Sequence, residues 1–501
     1  MKKRVSILIL LLLFVFSQMV FWAYAEPEAD ENESTSAPSE SIEPTQEPTE
    51  ASTEKELEVP ITGGSIPSPL LDYGVETDFQ IRAKAAALID LKTGALIYSY
   101  EIDKQIYPAS LTKIMTCMLA LEYGHLDDMV TVSYDALQNL SLAGSSAGLL
   151  EGEKISLRDS LYCVMISSAN EGCNVVAAYV SGDIDTFVAL MNQRAQELGM
   201  TSTHFANTHG LHDENHYTTV RDMSTLARWA WQYEAFREFA CATVHVVPKT
   251  NLSEERTLHT TNYLISGLTV GKYYYDKAMG IKTGFTTPAG GCLISAASSG
   301  GYEFMSIVCG CETLENEDGT TTDERFTETK RLFEYGFQHC SYVQVLTDTS
   351  MVDMPEVLYS DGRANVVVRA KENVSILLPD TCNLSEIELT VSYDTATPLE
   401  APLEAGQRVG TVSATYNGHT LATCDLVTLT AVGRSEPKYV AEKTGSFFSK
   451  LWDGVKRVWF LALLLLLVLI FIAVLLIMRA INIRKAKKRA KRNRRNVRRD
   501  L

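Results

Sequence analysis

An uncharged stretch of about 21 residues, 458–478, followed at once by a dense basic run, constrains this chain more than any other feature. At ~1.5 Å of rise per residue, a helix of that length crosses a ~30 Å hydrocarbon layer, so a transmembrane helix is expected there. Trp452 and Trp459 stand on its leading side, where indole rings favour the membrane interface. Arg479, Arg484, Lys485, Lys487 and Lys488 open the basic tail that follows. A buried core helix would have no use for such a flank. Basic clusters beside a span stay cytoplasmic, which puts 479–501 inside the cell membrane and the bulk of the chain outside. A tail in that position is expected to meet anionic lipids of the cytoplasmic membrane rather than nucleic acid.

The other end reads as an export signal. Lys2, Lys3 and Arg4 precede an apolar run over 5–22, then Ala23-Tyr24-Ala25, so a signal peptide over 1–25 is expected. An uncleaved anchor is the alternative, but Ser17 and Gln18 interrupt the run. Residues 26–62 are rich in Glu, Ser, Thr and Pro and poor in bulky apolar side chains, as a disordered acidic linker would be. The chain holds 62 acidic against 45 basic residues, and the tail takes many of the latter. The exported part is therefore strongly acidic, which disfavours a nucleic-acid partner.

Residues 63–341 look globular, and strands at both ends enclose helices. Strands are expected over 85–89 and 95–98, joined by a turn at 90–94. Helical patterns follow over 110–123, 157–167, 171–180, 184–198 and 220–233. Strands return at 278–285, 291–297 and 304–311, and a last helix at about 323–337 takes Thr322 as its N-cap. The fold class is α/β of the α+β kind: an antiparallel sheet, closed by the first and last segments, packed on a helical region. Short β-prone runs at 366–368, 375–378, 388–391, 408–412 and 426–429 mark 342–433 as a small all-β domain. Residues 434–457 are left as a stalk. The ten cysteines show no metal-ligand spacing. Export permits disulfides, but Cys309 and Cys311, two apart on one strand, should face the same way, a poor geometry for bonding to each other. Most of the ten read as small buried hydrophobes.

Three short motifs carry the chemistry: Ser110-Leu111-Thr112-Lys113, Ser168-Ala169-Asn170 and Lys282-Thr283-Gly284. A serine on the first turn of a helix and a lysine three residues on share one face, so a neutral Lys113 amine can take the Ser110 proton. Burial and the nearby Lys282 charge should keep Lys113 neutral part of the time. Ser168 suits proton relay to a leaving amine, and the Asn170 amide suits holding Lys113 and a substrate backbone. Lys282 and Thr283 suit a substrate carboxylate, and Gly284 permits close approach to the strand edge. The N–H groups of Ser110 and Phe285 would form an oxyanion hole. No metal or cofactor is called for.

Look-alikes test this assignment. Lys92-Thr93-Gly94 falls in a hairpin turn and Lys443-Thr444-Gly445 in the stalk, whereas only Lys282-Thr283-Gly284 is embedded in an apolar strand. Gly144-Ser145-Ser146-Ala147-Gly148 fits a hydrolase nucleophile elbow, but no strong strand precedes it and a turn follows, so it reads as a loop. His204, His209, His212, His216 and Asp213 could suggest zinc, yet their segment lacks a rigid helical pair of ligands.

Residues 108–116, Ser168 to Glu171, Asn207 to Leu211 with His216 to Thr219, and Ile281 to Thr286 together resemble the low-molecular-weight penicillin-binding proteins, most nearly the serine D-alanyl-D-alanine carboxypeptidases. The resemblance runs from about 63 to 340, and the β-rich segment resembles that family's small C-terminal domain. It implies removal of the terminal D-alanine from peptidoglycan stem pentapeptides through an acyl-enzyme on Ser110, with β-lactams as inhibitors. It assigns Lys113 as base, Ser168 and Asn170 as the second motif, and Lys282 to Gly284 as the third. Two departures stand out. Members often have aspartate and alanine where this chain has Glu171 and Gly172, and they usually attach by an amphipathic C-terminal helix rather than a span. A β-lactamase of class A would need an additional glutamate to activate water, and no convincing equivalent lies between Asn170 and Lys282. An endopeptidase of cross-links and a catalytically idle binding protein are the remaining alternatives.

Overall fold

The computed structural model describes residues 65–497 apart from 139, 142–143, 268–270 and 396, with side chains to 489. The expected signal peptide and acidic linker lie outside the described residues. The chain runs β1 (Leu71–Asp72), β2 (Ala85–Asp90), β3 (Ala95–Tyr100), α1 (Lys113–Tyr123), β4 (Met129–Thr131), β5 (Lys154–Ser156), α2 (Leu157–Met165), α3 (Asn170–Ser181) and α4 (Ile184–Glu197). It continues through α5 (Val220–Trp231), α6 (Glu234–Ala240), β6 (Val244–Val247), β7 (Arg256–His259), β8 (Ala278–Thr286), β9 (Gly290–Ser299), β10 (Tyr302–Cys311) and α7 (Glu324–His339).

The run Ala85-Ala86-Ala87-Leu88-Ile89 shows no polar alternation because both of its faces are covered. Ala85, Ala87 and Ile89 join the core formed with α1 to α6, whereas Ala86 and Leu88 join a second core with Phe304 and with Phe333 of α7. β2 lies inside a six-stranded sheet of order β1-β3-β2-β10-β9-β8. The early hairpin β2/β3 is joined to the late strands through β10, with Phe304 opposite Asp90. This is the expected antiparallel sheet closed by first and last segments, with one short parallel pairing, β1 on β3. β8 is left at the edge. Helix α1 is buried at every position from Lys113 to Leu121, as befits a helix inside the domain rather than on its surface.

Four local expectations need correction. The helix expected over 220–233 ends at Trp231, and α6 follows after Tyr233. Phe236 and Phe239 of α6 bury into the same core, so the apolar pattern runs through the break and hides it. The cap of α7 is Asp323, not Thr322; its carboxylate accepts from the Arg325 N–H at 3.2 Å. Cys309 and Cys311 do not face the same way: Gly310, at φ +77°, makes a bulge that puts Cys309 in the helical-side core and Cys311 in the other. The fourth concerns the stalk. Helix α8 (Glu436–Val497) runs unbroken through the stalk and the apolar stretch, so Lys443-Thr444-Gly445 is helical rather than part of a linker.

The β-rich region follows α7 directly. Strand Cys340–Leu346 pairs with Val374–Pro379, and a four-stranded sheet is ordered Val368–Ala370, His419–Thr428, Arg408–Tyr416, Glu388–Tyr393. The run expected at 366–368 becomes a strand only from Val368. Helix α8 is braced where it begins: Lys438 Nζ donates to the Ser360 carbonyl at 3.1 Å, and the Tyr359 and Tyr439 rings meet edge-on at 5.2 Å. Farther along it is long and apolar enough to cross a membrane, and that window is wholly exposed.

Candidate active site

Ser110 sits in a 3-10 turn, Ala109–Thr112, that leads straight into α1. The turn brings serine and lysine onto one face, and Lys113 Nζ donates to Ser110 Oγ at 2.9 Å. The same amine reaches Asn170 Oδ1 at 2.8 Å and the His209 carbonyl at 2.7 Å. An ammonium has three protons to give, and all three have acceptors. Lys113 is fully buried, and burial pulls its pKa down to about 8, against the opposing pull of Cys173 and Glu171. A fraction of the amine is therefore neutral near pH 7, able to accept the serine proton.

On the other wall, edge strand β8 carries Lys282, Thr283 and Gly284. Lys282 Nζ donates to Ser168 Oγ at 3.0 Å, which ties the third motif to the second. Burial and then repulsion from Lys113 hold the Lys282 pKa well below its ordinary value. The two buried amines repel one another, so a charge on either disfavours a charge on the other. Thr283 Oγ1 lies 2.6 Å from Thr261 Oγ1. Gly284 packs so closely on the nucleophile that a Cβ there would stand 3.1 Å from the Ser110 nitrogen.

Ser110, Ser168, Asn170, Thr283, Gly284 and Phe285 line one cleft of about 610 Å³, with Lys113 and Lys282 buried behind them. All eight residues singled out in the sequence therefore meet in one place. Ser168, at φ +60°, and Ala109, which precedes the nucleophile at φ +48°, are held in unusual backbone conformations, the kind of local strain that surrounding structure must enforce. For Ala109 the enforcement is visible. The Ala206 N–H donates to His216 Nδ1 at 2.9 Å, so the other ring nitrogen carries the proton. His216 Nε2 then donates to Thr112 Oγ1 at 2.7 Å, and Thr112 Oγ1 donates to the Ala109 carbonyl at 2.8 Å. Burial pulls His216 down to about 4 and keeps this neutral tautomer in place. Gly210, at φ +89°, passes the same carbonyl so tightly that a Cβ would lie 1.8 Å from its oxygen.

Several cleft residues escaped the sequence reading. Gly144 and Ser145 belong to the glycine-serine loop, which is a loop as expected but also a wall of the site. Arg325, at the start of α7, lines the cleft and donates to the Gly284 carbonyl at 3.0 Å. Thr261 and Tyr263 line it as well. Nothing in periodicity marks these positions, because each reaches the site through tertiary packing.

Residues 73–313 match the family described as D-alanyl-D-alanine carboxypeptidase, and residues 348–434 that described as penicillin-binding protein 5, C-terminal domain. The D-alanyl-D-alanine carboxypeptidase DacC of Escherichia coli is 31% identical over 386 residues, which make up 75% of this chain and 88% of that protein. The chain belongs to the D-alanyl-D-alanine carboxypeptidase family. It is a serine-type peptidase of that family, followed by the family's C-terminal β domain and a helix suited to membrane anchoring. DacF of Bacillus subtilis is 29% identical over 346 residues, 68% of this chain and 83% of that carboxypeptidase. Among solved structures, penicillin-binding protein 5 from Haemophilus influenzae superimposes with a TM-score of 0.54 at 28% identity, covering 72% of this chain and 100% of that one.

Proposed function

We propose that this carboxypeptidase acts outside the cytoplasmic membrane and removes the terminal D-alanine from peptidoglycan stem pentapeptides. The observation that carries the reading is the buried Lys113 amine shared between Ser110 Oγ and Asn170 Oδ1, behind a cleft whose other wall is a free strand edge. The stem peptide lies along β8 as an added strand, with its terminal carboxylate at Lys282 and Thr283. That carboxylate favours the ammonium form of Lys282, so binding restores the charge that burial suppresses. Neutral Lys113 takes the Ser110 proton, and Oγ attacks the penultimate D-alanine carbonyl carbon. The N–H groups of Ser110 and Phe285 hold the resulting oxyanion. The C–N bond breaks as a proton passes through Ser168 to the leaving amine, D-alanine departs, and water then hydrolyses the Ser110 ester. A β-lactam enters the same way, but its amine stays tethered after ring opening and slows the second step.

Mass spectrometry of products from a purified muropeptide mixture tests the substrate. Pentapeptide stems should become tetrapeptides with release of D-alanine, while cross-linked dimers persist. Conversion of dimers to monomers instead would make the protein an endopeptidase, and rapid release of hydrolysed penicillin would make it a β-lactamase. Unchanged muropeptides despite covalent labelling would mark an idle binder.

Lys282→Ala should remove a charge-assisted contact worth about 1.5–3 kcal/mol, lowering kcat/KM by roughly one to two decades. Lys92→Ala should stay near wild type, because Lys92 lies in the β2/β3 turn over the Tyr342 ring, 4.9 Å from its centroid. Equal losses in the two folded variants would overturn the placement of the carboxylate site.

The membrane orientation follows from the basic residues after 478. Single cysteines engineered at 436–457 should react with a membrane-impermeant thiol reagent on intact cells, and those at 485–497 should not. The reverse pattern would place the cleft on the cytoplasmic side.

A further inference from the structure

Residues 144–148, of which Gly144 and Ser145 wall the cleft, belong to no helix or strand, so their backbone has no ladder to hold its shape. Two charged groups hold it instead, one buried and one half-buried. Glu171, 3% exposed, accepts through the single oxygen Oε1 from Ser146 Oγ at 2.7 Å, the Ala147 N–H at 2.6 Å and the Gly148 N–H at 3.1 Å. From another side, Arg256 Nη1 donates to the Ala147 carbonyl at 3.0 Å. Arg256 is itself fixed by an ion pair with the fully buried Glu153, which also accepts the Leu150 N–H at 2.9 Å. The loop then passes its position to the chemistry. The Ser145 carbonyl accepts the Asn170 N–H at 2.9 Å, and Asn170 Oδ1 holds the Lys113 amine.

We propose that Glu171 is a positioning residue that, with the Arg256–Glu153 pair, clamps residues 144–148 so that Ser145 meets the substrate and Asn170 stays in register with Lys113. The carboxylate touches no reacting atom. Its charge draws three donors to one point, and charge-assisted bonds of that kind are about twice as strong as neutral ones. A neutral amide in its place keeps the shape but weakens the convergence. The inference rests on the carboxypeptidase reading with Ser110 as nucleophile, but the clamp itself can be read without turnover.

The test compares Glu171→Gln, Glu171→Asp and the milder Ser146→Ala in the full-length protein. Hydrolysis of a D-alanyl-D-alanine peptide is measured beside amide hydrogen exchange resolved by residue. Glu171→Gln should lower kcat/KM by about 10- to 100-fold and speed exchange at Ala147 and Gly148 by a similar factor, with core amides of α1 and β9 unchanged. Glu171→Asp should recover part of both, because it restores the charge at a shorter reach. Ser146→Ala should move both in the same direction by less, which keeps the test decisive if Glu171→Gln fails to fold. Activity within twofold of wild type, or exchange accelerated equally throughout the core, would overturn the clamp. An inactive wild type would sink the carboxypeptidase reading alone, and the exchange data would still decide the clamp.

Discussion

Ser110→Ala should abolish covalent labelling by a fluorescent penicillin and lower peptide hydrolysis by roughly four or more orders of magnitude. Ser110 is the cleft hydroxyl that meets the Lys113 amine, and its removal takes away the atom that forms the ester. The fold should survive, since Ser110 is only partly buried and its alanine replacement fits the 3-10 turn. The competing nucleophile would be Ser146. Its Oγ donates to the Glu171 carboxylate at 2.7 Å, and among the described residues no lysine or histidine is bonded to it. Peptide mapping of the labelled protein distinguishes the two. Label that persists in Ser110→Ala and maps to Ser146 would reverse the assignment.

Lys113→Met should lower kcat/KM by roughly 10²–10⁴-fold, the usual worth of a general base. In wild type, kcat/KM should climb with pH by about tenfold per unit and level off near 8, where the amine becomes neutral. A stability measurement supplies an independent check. The folded-state pKa of Lys113 lies below its ordinary 10.5, so the folded protein binds fewer protons here than the unfolded chain between about 8 and 10.5. The group therefore opposes folding below pH 8, and that opposition fades as pH rises towards 10.5. Relative to Lys113→Met, wild type should gain about 3 kcal/mol of stability across that window. Denaturant unfolding of both proteins at pH 7.5 and 10.5 reads the difference directly. Taking the difference between the two cancels the titrations of thiols and tyrosines that both share, and what remains belongs to the Lys113–Lys282 pair, since removing one amine also relieves the other. A gap that does not change with pH would mean that Lys113 is charged in the folded enzyme throughout.

The parts of this architecture that were legible in the sequence are those that local chemistry writes out. Ser110 and Lys113 are three apart, from a 3-10 turn into the start of α1, so their meeting requires no tertiary information. The strand around Lys282 is marked by its apolar flanks, and the run at 85–89 by its lack of alternation. Glu171, Ser145 and Arg256 left no such trace. Their relation depends on a loop, a helix start and a distant strand meeting in space, and a buried carboxylate looks in sequence like an exposed one. Cys311 was misplaced for another reason: one glycine with positive φ inverts the alternation of β10, and a glycine need not use that freedom. The stalk is a helix despite Gly445 and Gly454, each of which weakens a helix locally, because propagation from the apolar stretch carries α8 through both.

That continuity makes α8 a spacer as well as a tether. With the apolar stretch held in a bilayer and the first turn braced at Tyr359 and Ser360, the height at which the cleft stands is set by residue count. Each residue inserted ahead of 458 lengthens the helix by ~1.5 Å. A lone span turns freely about its axis in a fluid bilayer, so an insertion changes reach and not heading. Seven inserted residues would add about 10 Å. Trimming of wall peptides by enzymes lengthened in this way should therefore change steadily with length rather than rise and fall with helical phase, a pattern that muropeptide profiles of cells carrying the lengthened enzymes would record.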